Sequence, residues 1–401
     1  MRNKTGRNIV KVLIVGQLPN EVGGNYTTGA AKVVYEISKQ RTDGVTSYTY
    51  ATNTRAENAR KISSYDNEYI GYKLMIGRII SSILLHPRRS FMEWKHYRKI
   101  DHANPFRYAF YKSNLEKAIN VVQPDIIHVN SIGNISPVHY ALKGKRIPIL
   151  LTCHGIFYRG DKNDTIEYDR YMGNIEFADA YTGLTQESLS EFSDILGVDM
   201  SKVTVIPNGV DCSKFYYSEE ERGKVRHEHN VQTDTKVFLT VASIQERKGQ
   251  MIFLQLLESL DINYQYWIIG MGPDFQKLTD YCKKNGIAKK VKLLGYRNSD
   301  QLYKYYSAAD IYAHPSLKEG QALSEIEAYT TGLRTIVNKK IVGTVITDVT
   351  TDNYYVLDFE KYDACDFVNW INKDISERKT RTKYDWSEIA KRYADLYRKI
   401  L

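Results

Sequence analysis

Residues 10–16, VKVLIVG, are apolar almost throughout and end on Gly16. A short continuous run of this kind fits a strand covered on both faces better than the edge of a half-exposed sheet. DIIHVN (125–130) and IPILLTCHG (147–155) have the same character. Between the first two lies TTGAAKVVYEISKQ (27–40), helical by period, with Ala31, Val34, Tyr35 and Ile37 near one side. Strands alternating with helices predict a parallel sheet with helices on both faces.

The second half repeats the plan. KVFLTVAS (236–243), YQYWIIGMG (264–272), KVKLLGY (290–296), DIYAHPS (310–316) and RTIVNK (334–339) read as strands. FQKLTDYCKKNG and EIEAYTTG end on Gly286 and Gly332, where helix C-caps belong. Pro207, Asn208 and Gly209 within VIPNGVDCSKF (205–215) form the strongest turn signal between the halves. The expected fold class is therefore α/β: two doubly wound, Rossmann-like domains facing a cleft, with the ligand at the carboxyl ends of the strands. The expected division is 1–206, 207–384 and a last segment, 385–401.

Bulk composition agrees. The 401 residues suit two to three domains, and 42% hydrophobic with 26% charged residues excludes a largely disordered chain. Cys153, Cys212, Cys282 and Cys365 are far apart and carry no zinc spacing, so a cytosolic protein with reduced thiols is expected. No run of about twenty apolar residues exists to span a membrane. The net charge of +9 suits an anionic partner, yet no nucleic-acid-reading motif accompanies it, and nucleic acid is set aside. In segment 72–112, Ile76, Ile79, Ile80 and Ile83 form a helical stripe, followed by Arg88, Arg89, Lys95, Arg98 and Lys99. Docking on an anionic membrane surface and burial against the first domain both account for it.

Candidate chemistry lies at the strand ends. NEVGGNYTTG (20–29) offers Gly23 and Gly24 before a helix, a phosphate cradle or a tight turn, without the dinucleotide spacing G-x-G-x-x-G. Arg247 and Lys248 precede Gly249 in ASIQERKGQ, as phosphate-neutralising cations or as a solvated helix start. Gly270 and Gly272 mark either a close ligand approach or a turn. His154 ends its strand on the presumed cleft side, while His128 reads as structural and Cys153 as a buried thiol. No Asp-x-Asp occurs, which removes the simplest acidic cradle for a metal-bound diphosphate and leaves phosphate charge to Lys, Arg and backbone N–H groups. HPSLKEGQALSEIEAYTTG (314–332) places Glu319 and Glu327 eight positions apart, as helix-face charges or as a grip on hydroxyl groups.

In this order, VIPNGVDCSKF, VASIQERKG, WIIGMGPDFQKL, VKLLGY and YSAADIYAHPSLKEGQALSEIEAYTTGL resemble glycosyltransferase family 4, the retaining enzymes of the GT-B fold, over nearly the whole chain. The resemblance implies that a hexose passes from a nucleoside diphosphate, UDP or GDP, to a glycan acceptor without a metal. It places Glu319 by the donor sugar with His154, and Glu327 on the ribose hydroxyls. It also implies a phosphate-binding Lys248, backbone contacts from Gly320, Gln321, Ala322 and Leu323, and a base held near Tyr296 and Arg297. YDWSEIAKRYADLYRKIL (384–401) resembles the family's last helix, which crosses back to the first domain. The chain departs from the pattern at Ser243, where an Arg is common, at Gln321, where an aromatic is usual, and at Arg334 in place of Pro. Arg247 is the expected substitute for the missing Arg. A lipid-linked acceptor in surface polysaccharide assembly (O-antigen, capsule or exopolysaccharide) is the further expectation, with the protein peripheral on the inner face of the membrane. The rivals are a non-catalytic binding subunit and a sugar-nucleotide hydrolase or epimerase.

Overall fold

The structure is a computed structural model that describes residues 9–24, 29–63, 68–101, 105–155, 169, 171–344, 353–373 and 378–401. The chain forms two compact units, Met1–Pro207 with Trp386–Leu401, and Asn208–Asp385.

In the first unit the described strands are β1 (Val10–Gly16), β2 (Val45–Arg55), β3 (Glu68–Tyr72), β4 (Ile126–Asn130), β5 (Ile149–Thr152), β6 (Ala180–Gly183) and β7 (Val203–Val205). They pair in parallel in the order β3-β2-β1-β4-β5-β6-β7. The second unit contains β8 (Lys236–Val241), β9 (Tyr264–Ile269), β10 (Val291–Gly295), β11 (Ile311–His314), β12 (Arg334–Asn338) and β13 (Tyr354–Leu357), in the order β10-β9-β8-β11-β12-β13. Both are α/β doubly wound sheets. In each, the order reverses beside the first strand, and that switch point opens a crevice at the carboxyl ends.

The reason is visible in the burial. Val12, Leu13, Ile14 and Val15 are all fully buried, alternate ones facing opposite helix layers. On one face of the first sheet Leu13, Val15, Ile127 and Val129 join Leu115 and Ile119 of the helix Pro105–Val122. On the second sheet Val237, Leu239 and Trp267 serve one layer, while Phe238, Tyr266 and Ile268 serve the other.

The final helix, Trp386–Ile400, belongs to the first unit and buries Trp386, Ile389, Tyr393, Leu396 and Tyr397. It lies over a polar seam in the sheet. The Tyr397 hydroxyl is 2.7 Å from Nδ1 of His128, whose Nε2 is 2.7 Å from Thr152 Oγ1, itself 2.6 Å from Thr182 Oγ1. Burial, with the His154 ring nearby, holds the His128 imidazole down at about 3. His128 is thus a neutral, fully satisfied structural residue.

Segment 72–112 forms the helices Ile76–Leu85, Pro87–Asp101 and Pro105–Val122. The isoleucine stripe splits. Ile79 is buried, whereas Leu74, Ile76, Ile80, Leu84 and Leu85 are exposed, as are Phe91 and Met92. Glu93 anchors the second helix through Lys112, Arg89 and the Tyr108 hydroxyl, the last at 3.0 Å.

Candidate active site

The second unit gathers its charged groups where β8 and β11 adjoin. β11 ends at His314, and the chain turns back so that Glu319 faces the strand end. Oε1 of Glu319 accepts from the Lys248 ammonium and from Ser316 Oγ at 3.1 Å, and lies 3.6 Å from His314 Nε2. Burial pushes the carboxyl up, but the adjoining His314 ring and the Lys248 charge outweigh it, and Glu319 titrates well below the usual carboxylate range. It is therefore an anion near neutral pH, shut away from bulk water.

Lys248 reaches it from a single 3₁₀ turn, Glu246–Lys248, closed by Gly249 at φ 71°. A Cβ at Gly249 would lie 2.1 Å from the Pro315 carbonyl oxygen, so only glycine lets the two loops touch. The loops are also laced directly: Leu317 N–H donates to the Arg247 carbonyl at 2.8 Å, and Arg247 Nη1 donates to the Lys318 carbonyl at 3.3 Å. Arg247 is exposed beside Lys248, while Ser243 accepts from the Gln245 side chain.

Gly320, Gln321 and Ala322 lead into the helix Leu323–Thr330, whose N-terminus has no side-chain cap. Its leading N–H groups and dipole make an anion-seeking edge. Gln321 is committed to the chain joining the halves: its Oε1 accepts from Asn208 N–H at 2.7 Å. Glu327 is 4% exposed, and its Oε2 accepts from the Tyr306 hydroxyl at 2.9 Å, which fixes the carboxylate's rotamer.

Gly270 and Gly272 stand against backbone. Their Cβ atoms would fall 1.9 Å from the Ala242 oxygen and 2.2 Å from the Ile244 oxygen. They let the loop after β9 close on the loop after β8. Tyr296 lies one strand further out and is exposed; its carbonyl accepts from Arg297 Nη1 at 3.1 Å, and Arg297 Nε donates to Tyr305. Arg334 is buried inside the fold, 3.6 Å from the centroid of the Trp370 ring and bonded to the carbonyls of Trp370, Ile371 and Lys373. It pins the end of the helix Ala364–Asn372.

In the first unit, Gly23 and Gly24 give their N–H groups to the carbonyls of Asn20 and Pro19 in a local turn. Residues 25–28 of the same loop lie outside the described residues. His154 is half-buried as a residue, yet its Nε2 is closed to solvent with no partner, and burial pulls the ring down to about 4. β4 ends on Asn130, which the strand pattern alone does not mark. The β4–β5 register sets Asn130 opposite Thr152, two residues before His154. Asn130 is 2% exposed, and neither side-chain amide atom has a partner. Buried amides are nearly always satisfied, so this pair points to a ligand. Its sequence signal was an amide at the end of an otherwise apolar strand at the switch point. His314, also unmarked beforehand, leaves Nδ1 buried without a partner.

Two parallel sheets in Rossmann order, each with its polar residues at the carboxyl edge, define a protein of the GT-B fold class. Anabaena HepE in complex with UDP and glucose matches with a TM-score of 0.68 at 18% identity, over 97% of this chain and 100% of that one. The description "Glycosyltransferase Family 4" matches residues 28–214, and "Glycosyl transferases group 1" matches residues 221–392. The chain belongs to glycosyltransferase family 4. Among relatives, an uncharacterized glycosyltransferase of Methanocaldococcus jannaschii is 27% identical over 61% of this chain and 66% of its own length. The UDP-Gal:alpha-D-GlcNAc-diphosphoundecaprenol alpha-1,3-galactosyltransferase of Escherichia coli is 27% identical over 56% of this chain and 60% of its own length. The chain thus spans less than two-thirds of either relative.

Proposed function

We propose that the protein is a retaining glycosyltransferase that moves a hexose from a nucleoside diphosphate, UDP in preference to GDP, to a lipid-linked glycan in surface polysaccharide assembly. The observation that carries this reading is the buried Lys248–Glu319 pair beside an uncapped helix N-terminus. A departing diphosphate needs cations and N–H donors already in place, and Lys248, Arg247 and the residues from Gly320 to Leu323 supply them. Glu319 stays ionised to hold a sugar hydroxyl, and His154 also serves the sugar. Glu327, oriented by Tyr306, takes the paired ribose hydroxyls, and Tyr296 and Arg297 hold the base. The acceptor oxygen then attacks on the face that the diphosphate leaves. Turnover is expected to persist in EDTA. The UDP in the HepE structure and the lipid diphosphate in the Escherichia coli relative's name support this choice of donor and acceptor.

Thermal shift with UDP, GDP, ADP and CMP tests the donor. A ligand at about a hundred times its Kd stabilises by roughly 2.7 kcal/mol. UDP should give the largest shift, and Glu327→Ala should lose most of it. A variant that responds like wild type would remove Glu327 from the ribose. Arg247→Ala should lower donor turnover at least tenfold, the electrostatic share expected of one flanking cation; unchanged turnover would leave the vacancy at Ser243 unfilled.

No helix among the described residues is long and apolar enough to cross a membrane. The exposed side chains Leu74, Ile76, Ile80 and Leu84, with Arg88, Arg89, Lys95 and Arg98 close in sequence, suit peripheral docking on anionic lipid. The protein should sediment with anionic vesicles at low salt and be released at high salt. Its remaining in the supernatant at low salt would end the membrane reading.

A further inference from the structure

The second sheet has a polar hollow at the edge opposite Lys248 and Glu319. β8 starts at Lys236, β11 at Ile311 and β12 at Arg334, and these neighbouring starts wall a cavity of about 360 Å3 together with Tyr217, Arg222 and Arg378. That volume lies near the low end of the roughly 300–1,000 Å3 usual for small-molecule sites.

Its charge is one-sided. Arg222, Lys236, Arg334, Lys373 and Arg378 line it against two carboxylates, Glu219 and Asp310. Neither acid is spare. Asp310 is held by Arg222, by Arg226 at 3.0 Å and by the Val237 N–H at 2.8 Å, while Glu219 accepts from the Tyr217 hydroxyl. Arg378 donates to the carbonyls of Tyr306, Ser307, Ala309 and Thr331. Those oxygens orient the guanidinium without cancelling its charge, and no carboxylate pairs with it among the described residues. Burial first, then the neighbouring Arg222 charge, pull that guanidinium down to about 9, the direction expected of a buried cation short of a counter-charge. Arg222 is fixed in a similar way, on the carbonyls of Ala308 and Ala309 at 3.0 Å each. Lys236 adds a half-buried ammonium that has no side-chain partner among the described residues.

Guanidinium forks already held in place beside an unpaired ammonium suit a compact dianion. Ile311 and Ile371 add apolar wall next to the charges, where the carbon frame of a small ester fits. We propose that this cavity is a second anion site, separate from the donor's, that takes a phosphate dianion, free or as the monoester of a small metabolite. Lys236 and Arg222 meet the phosphate, and Arg378 supplies the positive field behind it. The site does not depend on the donor assignment. β11 runs from this cavity to His314, so the occupant sits at the far end of the strand from Glu319 and displaces no nucleotide.

Calorimetric titration of the full chain tests this with inorganic phosphate, glycerol 3-phosphate and glucose 6-phosphate, and with glycerol and glucose as uncharged controls. At least one phosphate should saturate at low salt, and neither control should. Lys236→Met should weaken it by about tenfold or more, the share of one charge-assisted contact, with no fall in the Tm of the empty protein. Lys236→Arg, which keeps the charge, should retain most of the affinity. Saturating UDP and Arg247→Ala should each leave the titration unchanged. An ester that binds at least tenfold tighter than inorganic phosphate assigns the occupant to a phosphorylated metabolite, equal binding assigns it to free phosphate, and either supports the anion site. Failure of every phosphate to saturate, or equal binding by wild type and Lys236→Met, overturns the proposal. Loss of binding in Arg247→Ala or under UDP places the phosphate among the donor cations and overturns it as well.

Discussion

Lys248→Met is expected to lower kcat by about 10² to 10³, the usual effect of deleting one preorganised electrostatic group from a dry site. It should also destabilise the protein by about 3–5 kcal/mol, because Glu319 would remain buried with its charge facing Ser316 and His314 and no longer the ammonium. These effects have different origins and separate in a double variant. Lys248→Met with Glu319→Gln removes both charges, so most of the stability should return while turnover stays lost. Steady-state kinetics and urea titration of both variants give the readout. A single variant within about threefold of wild-type kcat would show that Lys248 only supports the loop. Recovery of activity in the double variant would say the same of Glu319.

Acid should unfold this protein early. The His128 ring titrates at about 3 when folded and near 6.5 when unfolded. A folded pKa below the unfolded one means that the unfolded chain binds more protons between those values, so stability drops as pH falls from about 6.5. At 1.36 kcal/mol per unit, His128 alone removes roughly 3 kcal/mol by pH 4.5. His154, at about 4, adds to the slope in the same window. Glu319, depressed below the ordinary carboxylate range, sheds its contribution only below about pH 4.5, so the upper window belongs to histidine. His128→Gln should flatten the profile between pH 6.5 and 4.5 while costing stability at pH 7.5. A wild-type urea midpoint that stays constant over that interval would sink the account.

Both effects come from groups whose residue type was plain in the sequence and whose setting was not. The apolar strands β1, β4, β8 and β9 were legible because burial on both faces leaves little room for any other composition. β2 was not. Its VTSYTYATNTR reads as polar because its polar groups are used internally: Thr52 donates to the Gly16 carbonyl, and Asn53 clasps Leu18 through both N–H and carbonyl at 2.8 Å. At the site, Glu319 and Lys248 could be named one at a time, but 71 positions separate them and nothing local announces their pairing. His314 escaped notice because a strand-end histidine gains meaning only when the following loop folds back on it. Gly270 and Gly272 show the converse: glycine reports a close approach without saying whether ligand or backbone approaches, and here backbone does.

The Tyr397–His128 contact spans 269 positions and bears on how the molecule is made. A chain leaving the ribosome exposes β4 and β5 long before residues 386–400 exist. Until that helix arrives, the imidazole of His128 and the hydroxyls of Thr152 and Thr182 form an open polar slot on an otherwise apolar sheet face. The first half to be synthesised is therefore the last to be finished. During the interval its uncovered face is a natural client for a chaperone, and a ribosome stalled before codon 386 would yield two sheets but only one completed unit.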